Sequence, residues 1–340
     1  MATDPGARET LPCADSDEVT REDRLALFRL VLMHRLIEER VGMLYRGGRV
    51  SGSVYTGRGQ EAVAAAAGYA LGPDDVCAPL NRELACHLAR GVTAAQAFRN
   101  FLGKGDSPTR GRDGNMHFGV PERGVFPLVS MLGDLCPVTV GAALAFKRRG
   151  EPRVALTFWG DGAMSTGDVH EGLNLAAVLK VPAVFVLQSN GYAYSTPTSR
   201  QMVNPCMADR VEGGWGIPAS RVDGSDAIAT LVALRGAIGE ARAGGGPRAV
   251  EAVTLRLDGH AAHDDGSYMD QEQLADYTAL RDPVERLAAR LREDGLARSE
   301  VEALRAAAAG EVAAGLQEAE ASPAPDPATI LEGVYATRLT

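Results

Sequence analysis

Two apolar runs near the middle of the chain give the first structural prediction. Val154–Trp159 and Ala183–Leu187 are short runs of mostly β-forming residues, which is typical of strands buried on both faces. The stretch between them, Asp168–Lys180, is predicted as a helix. A strand, a helix and a second strand form a βαβ unit, and such a crossover makes the two strands parallel.

Further segments continue this alternation of strands and helices. A capping motif at Thr20–Asp23, followed by an apolar stripe, predicts a long first helix that ends at Gly47-Gly48. More strands are predicted at 76–80, 217–222 and 249–257, and more helices follow Gly59, Thr93, Pro137 and Asp226 and cover 283–294 and 299–321. The sequence therefore predicts an α/β fold, a doubly wound and mainly parallel sheet with helices on both faces.

Polar residues stand where the two central strands end. Gly160-Asp161-Gly162 follows the first run and Asn190 follows the second. Ligands of open α/β sheets bind at this edge. Asp161 offers an anionic oxygen, Asn190 a neutral one, and the turn to Tyr192 can aim a main-chain carbonyl, a set that suits Mg²⁺ holding phosphate oxygens. The glycines, which lack a Cβ, let a phosphate approach, and the next helix begins with free N–H groups.

Three better-known motifs are excluded at this place. The dinucleotide pattern GxGxxG fails because its third glycine falls on Ser165. The P-loop fails because Asp168 stands where lysine is required. His170-Glu171 begins an HExxH zinc motif, but the position of its second histidine is Asn174.

Composition narrows the class of protein. The chain has 340 residues, 45% of them apolar, and a net charge of −9, which argues against binding to nucleic acid or to an anionic membrane. No apolar run approaches ~18 residues, and the acidic N-terminus lacks the apolar core of a signal peptide. Five cysteines without CxxC spacing exclude a zinc site readable from sequence and indicate reduced thiols. We expect a soluble, cytoplasmic protein.

The GDG segment and the asparagine after it resemble the thiamine diphosphate signature. More closely, they resemble the alpha subunit of the decarboxylating component of 2-oxo acid dehydrogenase complexes, of the pyruvate, branched-chain and acetoin types. A lone Asp-Gly is usually just a turn, so the length of the match carries the resemblance. The matching positions are His170-Glu171, Asn174, Ala176-Ala177, Lys180, Pro182, Tyr192-Ala193, Gly59-Gln60-Glu61-Ala62, Val222-Asp223-Gly224, Asp226 and Arg281-Asp282-Pro283.

The resemblance implies thiamine diphosphate and Mg²⁺ as cofactors. It places Asp161, Asn190 and the carbonyl of Tyr192 on the metal, and Arg82 and His260 on the diphosphate. An arginine at a strand end can pair with phosphate through two parallel N–H bonds. The further positions that it implies at the cofactor are Tyr55, Asn81, Ser130, Leu132, Gly162 and Ala163.

Three histidines are candidates for catalysis, because histidine titrates near neutral pH and can transfer or steer protons. His260 matches the loop histidine of the family, and His263 is a second candidate on the same loop. The motif HxxHDD in this segment would also fit a metal site, but no third cluster of ligands is visible in the sequence. The segment is therefore predicted to be a flexible loop. His117 ends a glycine-rich loop, 110–119, where it could belong to the active site or an interface, or simply be structural or solvated.

Three positions depart from the family pattern. Tyr55 stands where the pyruvate type usually has histidine, Asn81 replaces a tyrosine, and Ser189 replaces the first asparagine of a pair. The third change is mild because Asn190 keeps the metal role. The first two border the cofactor or substrate pocket, so the substrate stays open.

The implied activity is decarboxylation of a 2-oxo acid, with transfer of the acyl group to a lipoyl group on an acyltransferase. The chain has one GDG and no second α/β half. By resemblance, the glutamate that activates the cofactor therefore sits on a beta subunit, in a heterotetramer, and the chain alone should have no turnover. Two alternatives stay open: a biosynthetic transketolase-like or acetoin-cleaving relative that transfers a two-carbon unit to a carrier, and a non-catalytic scaffold subunit.

The domain organisation follows from these segments. Residues 1–18 are predicted as a disordered tail and 19–322 as one thiamine diphosphate- and Mg²⁺-binding α/β domain. The proline-containing segment 323–340 is predicted as a C-terminal tail that contacts a partner subunit.

Overall fold

The computed structural model describes residues 19–333, so the predicted N-terminal tail and residues 334–340 lie outside the description. Its centre is a parallel five-stranded sheet in the order β1-β2-β3-β7-β6. The strands of this sheet are β1 (Val76–Ala78), β2 (Ala155–Gly160), β3 (Ala183–Ser189), β6 (Ala219–Asp223) and β7 (Arg248–Val253). A short antiparallel pair, β4 (Tyr192–Ala193) and β5 (Thr196–Pro197), follows β3.

Helices cover both faces of the sheet. They are α1 (Arg21–Arg46), α2 (Glu61–Ala70), α3 (Leu84–Ala89), α4 (Ala94–Phe101), α5 (Leu135–Arg149), α6 (Gly167–Leu179), α7 (Met207–Trp215), α8 (Ala227–Glu240), α9 (Gln271–Arg281), α10 (Pro283–Glu293) and α11 (Arg298–Ala321). One face packs against α5, α6 and α7, and the other against α8 and the helices around α1 and α2. The doubly wound parallel fold predicted from the sequence is confirmed.

The central strands contribute alternate side chains to two hydrophobic cores. Phe158 and Val186 belong to the core with α1, α2 and α8, whereas Trp159 and Phe185 belong to the core with α5, α6 and α7. Because successive side chains of a strand point to opposite faces, a strand covered on both faces needs an unbroken apolar run. This explains why β2 and β3 were visible in the sequence.

Three helices were missed from the sequence, and each lacks the usual signal. α3 has only six residues, α7 contains Gly213 and Gly214, and α9 buries a single residue, Tyr277. All five predicted strands also have different limits, since 76–80 is observed as 76–78, 154–159 as 155–160, 183–187 as 183–189, 217–222 as 219–223 and 249–257 as 248–253. Residues 254–257 leave the sheet and lead into the loop that carries His260.

The C-terminal segment 322–333 packs against the segment 104–112 of the same chain. The N–H of Gly105 donates to the carbonyl of Pro323 at 2.9 Å, and Arg112 donates to the carbonyl of Thr329. Gly111 has a φ of +72°, and a Cβ there would lie 2.8 Å from Pro325, so this contact requires a glycine. The predicted contact of this tail with a partner subunit stays a prediction.

The helices of residues 19–333 include no segment that is both long and apolar enough to cross a membrane.

Candidate active site

The carboxyl ends of four strands surround one cavity of about 470 Å³. The segments after β1, β2, β3 and β7 all reach it, as expected for a ligand site of a parallel α/β sheet. The structure brings most of the predicted site residues into its wall. These are Tyr55, Asn81, Arg82, His117, Ser130, Leu132, Asp161, Gly162, Ala163, Tyr192 and His260.

Asp161 is a buried carboxylate held by neutral donors. The residue is only 1% exposed. Its Oδ2 accepts the main-chain N–H of Asn190 at 3.0 Å, and its Oδ1 accepts the hydroxyl of Thr198 at 2.8 Å. In the described part of the chain, no lysine, arginine or histidine nitrogen lies within 4.0 Å of this carboxylate. Burial raises the pKa of Asp161, because the anion is desolvated. A bound cation would remove this penalty.

Asn190 lies behind Asp161 rather than in the cavity wall. It is 2% exposed, and its side-chain oxygen accepts the N–H of Tyr192 at 3.2 Å across a turn at Gly191. Its amide nitrogen donates to Oε1 of Gln60 at 3.3 Å, and Thr254 donates to the same oxygen. Gln60 therefore orients the side-chain amide of Asn190. The amide nitrogen of Asn190 faces α2, and its amide oxygen faces the turn that leads to Tyr192.

Arg82 enters the cavity from the turn after β1 and lies against Gly160. A Cβ on Gly160 would stand 3.2 Å from Nη2 of Arg82, which is closer than most side chains pack. The sequence predicted that this glycine leaves room for phosphate. The structure shows that it leaves room for the guanidinium of Arg82.

Tyr55 is positioned by a buried contact between α1 and the loop 54–59. Both carboxylate oxygens of Glu38 accept the N–H of Gly57, at 2.8 and 2.9 Å. A Cβ on Gly57 would lie 2.3 Å from the carbonyl oxygen of Arg82, so this loop rests directly on the arginine turn. Burial raises the pKa of Glu38, although His34, whose Nε2 is 2.9 Å away, acts in the opposite direction.

His260 stands between two tyrosines at the mouth of the cavity. The centres of the Tyr55 and Tyr194 rings lie 5.3 and 4.5 Å from the imidazole, both in edge-on geometry. Burial, followed by the positive charges of Arg82 and Arg256, lowers the pKa of His260 to about 4. The sequence-based expectation was titration near neutral pH, whereas this environment keeps the ring neutral there.

Residues 28–328 match the family model described as dehydrogenase E1 component. The chain belongs to the dehydrogenase E1 component family. The alpha-subunit resemblance recognised from the sequence is confirmed, and with it the enzyme class. Membership implies dependence on thiamine diphosphate and a beta-subunit partner.

Curated relatives of this E1 component are similar over most of their length. It is 34% identical to the alpha subunit of acetoin:2,6-dichlorophenolindophenol oxidoreductase from Cupriavidus necator, over 93% of this chain and 95% of that protein. It is 32% identical to the pyruvate dehydrogenase E1 alpha subunit of Rhizobium meliloti, over 82% and 80%. It is also 32% identical to the 2-oxoisovalerate dehydrogenase alpha subunit of Bacillus subtilis, over 94% and 97%.

The two other candidate histidines of the E1 component occupy different places. His117 lines the cavity, with Nε2 3.3 Å from the hydroxyl of Ser130 and Nδ1 3.3 Å from a carboxylate oxygen of Asp113. His263 is exposed and does not line the cavity. The catalytic roles of both stay predictions.

Three contacts of the candidate site residues were not predicted from sequence. They are those of Thr198 with Asp161, of Gln60 with Asn190, and of Arg256 with His260. Thr198 and Gln60 are far from their partners in the chain, and no local pattern marks such pairs. For Gln60, the one available signal was its place in the Gly59-Gln60-Glu61-Ala62 match.

Proposed function

We propose that this chain is the α subunit of a thiamine diphosphate-dependent 2-oxo acid dehydrogenase and binds the cofactor and Mg²⁺ in the cavity at the sheet edge. The observation that carries the proposal is the meeting of Asp161, Arg82 and His260 around this single cavity. They supply an anion for a metal, a cation for a diphosphate and an imidazole beside both.

The metal would be held by Asp161, Asn190 and the carbonyl of Tyr192. Within residues 19–333 there is no group of three or more His, Cys, Asp or Glu side chains suited to a metal. A Mg²⁺ site does not need one, because it typically uses one or two carboxylates together with phosphate oxygens and water. The fit rests on Asp161, a buried carboxylate whose pKa is raised by burial and whose direct partners are all neutral.

The diphosphate would be held by Arg82 and His260. Arg82 presents a planar set of donors to phosphate oxygens, and the neutral imidazole of His260 can donate one further hydrogen bond. When bound, thiamine diphosphate supplies the electron sink for decarboxylation. The protein's own contribution is position, charge and exclusion of water.

The described part of the cavity wall offers no second acid for the cofactor. Among the described residues of its wall, Asp161 is the sole carboxylate, and it is committed to the metal. The rim exposes the apolar residues Met131, at 62%, and Leu132, at 56%. Both features support a beta subunit that docks beside the rim and contributes the activating glutamate, in a heterotetramer that passes the acyl group to a lipoyl carrier.

Calorimetric titration of thiamine diphosphate in the presence of Mg²⁺ tests the site. We expect Asp161→Ala to abolish Mg²⁺-dependent binding to the assembled α and β subunits. Asp168→Ala, an exposed carboxylate on the next helix, serves as the matched control and should bind normally. Unchanged binding by Asp161→Ala would refute the metal assignment.

Turnover assays test the assignment as an α subunit. The purified chain alone should not decarboxylate any 2-oxo acid, and activity should appear when the β subunit is added. Pyruvate, 2-oxoisovalerate and acetoin are the donors to compare, because the relatives are named for them. Failure to bind the cofactor even with the β subunit would indicate a non-catalytic scaffold instead.

A further inference from the structure

A buried arginine holds the loop that carries His260. Arg256 follows β7 and is 1% exposed. Its Nη1 lies 2.7 Å from Nδ1 of His260, and its Nη2 donates to the carbonyl of Tyr194 at 2.7 Å and contacts the hydroxyl of Tyr268 at 3.1 Å. The guanidinium therefore joins both ends of the loop to the segment after β3.

The chemistry of this contact fixes the position of a proton. A guanidinium carries only N–H donors, has no acceptor and stays charged in proteins. At 2.7 Å, Nδ1 of His260 must therefore be the acceptor and cannot carry a hydrogen. In a neutral imidazole the single proton then resides on Nε2. The low pKa of about 4 means that the ring is neutral at physiological pH.

The rest of the loop keeps the ring in this orientation. One carboxylate oxygen of Asp264 accepts the main-chain N–H of His260 at 2.6 Å and the hydroxyl of Tyr268 at 2.7 Å. The Tyr55 and Tyr194 rings flank the imidazole. No described residue accepts a hydrogen bond from Nε2, although His260 lines the cavity.

We propose that Arg256 is a positioning residue that fixes His260 as the Nε2–H tautomer, so that the imidazole offers a hydrogen-bond donor to a ligand in the cavity. The tautomer is a property of the chain itself. Its use toward the oxygens of thiamine diphosphate rests on the proposed function. In this arrangement His260 donates a hydrogen bond and does not act as a base through Nδ1.

Nitrogen-15 NMR of the full chain labelled at histidine tests the tautomer without any cofactor. The signals of His260 are assigned by their loss in His260→Gln. At pH 7 we expect Nε2 to be protonated and Nδ1 to show the shift of an unprotonated nitrogen. A protonated Nδ1 in the wild-type chain would overturn the proposal.

Two substitutions at Arg256 separate donation from packing. Arg256→Met removes every donor, so the Nδ1–H tautomer should become populated. Arg256→Lys keeps a donor-only cation and should retain the Nε2–H form. Identical spectra for wild type and Arg256→Met would contradict the assignment. If the Met variant does not fold, a protonated Nδ1 in the wild-type chain or in Arg256→Lys is the result that would overturn the proposal.

Arg286→Met is the matched control. This arginine lies on α10, donates hydrogen bonds to the carboxylates of Asp223 and Asp226, and does not line the cavity. Its loss should lower stability and leave the His260 tautomer unchanged. A tautomer change in this control would mean that general loosening, rather than the lost donor, is responsible.

Cofactor affinity tests whether the hydrogen bond offered by His260 is used in binding thiamine diphosphate. In the assembled α and β subunits, Arg256→Met should weaken thiamine diphosphate binding by about tenfold, the usual effect of losing one hydrogen bond to a charged group, and Arg256→Lys should weaken it less. Equal affinities for wild type and Arg256→Met would overturn the functional part of the proposal. If the wild-type subunits bind no cofactor, the proposed function fails while the NMR result still decides the tautomer.

Discussion

The two sides of the cavity hold their functional groups in different ways. On the strand side, Asp161 directly follows β2, a central strand, and its carboxylate accepts a main-chain N–H from the residue after β3. On the loop side, His260 lies seven residues beyond the end of β7 and is held by the side chains of Arg256, Asp264 and Tyr268. One group is fixed by the sheet and the other by a network of side chains.

This difference separates two kinds of motion. A group on a central strand moves only when the core unfolds, whereas a loop held by a few side chains can open locally. The carboxylate can therefore stay in place while the loop adjusts to a ligand. Variants on each side should accordingly differ in whether they change global stability or local opening.

The largest effect is expected at the base of the strand side. Trp159 precedes Gly160 and is almost fully buried, with its ring 5.2 Å from that of Phe185. Trp159→Ala should reduce the free energy of unfolding by about 3–5 kcal/mol, measured by urea denaturation. The exposed Val203→Ala should change it by less than about 0.5 kcal/mol. A Trp159→Ala cost as small as that of the control would show that the sheet does not fix this side.

Gly59 should give the next largest effect, on the loop side. Its φ is +90°, and a Cβ would lie 2.4 Å from the carbonyl oxygen of Leu255. Gly59→Ala should cost about 2 kcal/mol or more and accelerate hydrogen exchange in 254–270. Gly216 has a φ of +64° with open space around it, so Gly216→Ala should cost only about 1–2 kcal/mol and leave that exchange unchanged. Equal hydrogen-exchange rates of 254–270 in Gly59→Ala and Gly216→Ala would show that the close approach of Gly59 to Leu255 does not hold this loop.

Two histidines allow a comparison of pH effects. The pKa of His87 on α3 is lowered from 6.5 to about 4 mainly by burial. The folded state therefore binds fewer protons than the unfolded state between these values, and stability is lost as the pH falls from 6.5 to 4. His87→Gln should reduce the slope of unfolding free energy against pH by up to about 1.4 kcal/mol per pH unit. His260→Gln should have a smaller effect, because His260 is partly exposed to solvent. If His87→Gln leaves the slope of unfolding free energy against pH unaltered, the lowered pKa of His87 does not contribute to the pH dependence of stability.

Thr198 offers a weaker perturbation of the strand side. Its hydroxyl donates to Asp161 at 2.8 Å. Thr198→Val preserves shape and removes the donor, so Mg²⁺-dependent cofactor affinity should fall about tenfold in calorimetry. Thr198→Ser restores the hydroxyl and should recover most of the affinity. Valine and serine variants with the same affinity would show that the hydroxyl does not orient the carboxylate.

Tyr268 should give the smallest effect. Its hydroxyl donates to Asp264 at 2.7 Å and accepts from Arg256 at 3.1 Å. Tyr268→Phe should lower the local opening free energy of 257–269 by about 1 kcal/mol, measured by hydrogen exchange. Tyr69→Phe, which removes a hydroxyl that lowers the pKa of Asp23 near the start of α1, should leave this exchange unchanged. Equal exchange in 257–269 for wild type and Tyr268→Phe would show that this hydroxyl does not hold the loop.

The strand side could be predicted from sequence, whereas much of the loop side could not. Asp161 and Asn190 follow unbroken apolar runs, and such runs mark buried parallel strands directly. The hydrogen bond from Arg256 to Tyr194 joins residues 62 positions apart, and that from Asn190 to Gln60 spans 130. No periodicity encodes contacts of this separation, so only the folded chain reveals which side chains orient the predicted ones.

The attachment of residues 322–333 to the segment 104–112 bears on how the protein should be handled. Removing the chain after Ala321 would take away the carbonyl acceptors of Gly105, Lys104 and Arg112. The same segment leads directly to His117 on the cavity wall. A chain that ends at Ala321 is therefore expected to loosen the segment 104–112 and, through it, this part of the cavity wall.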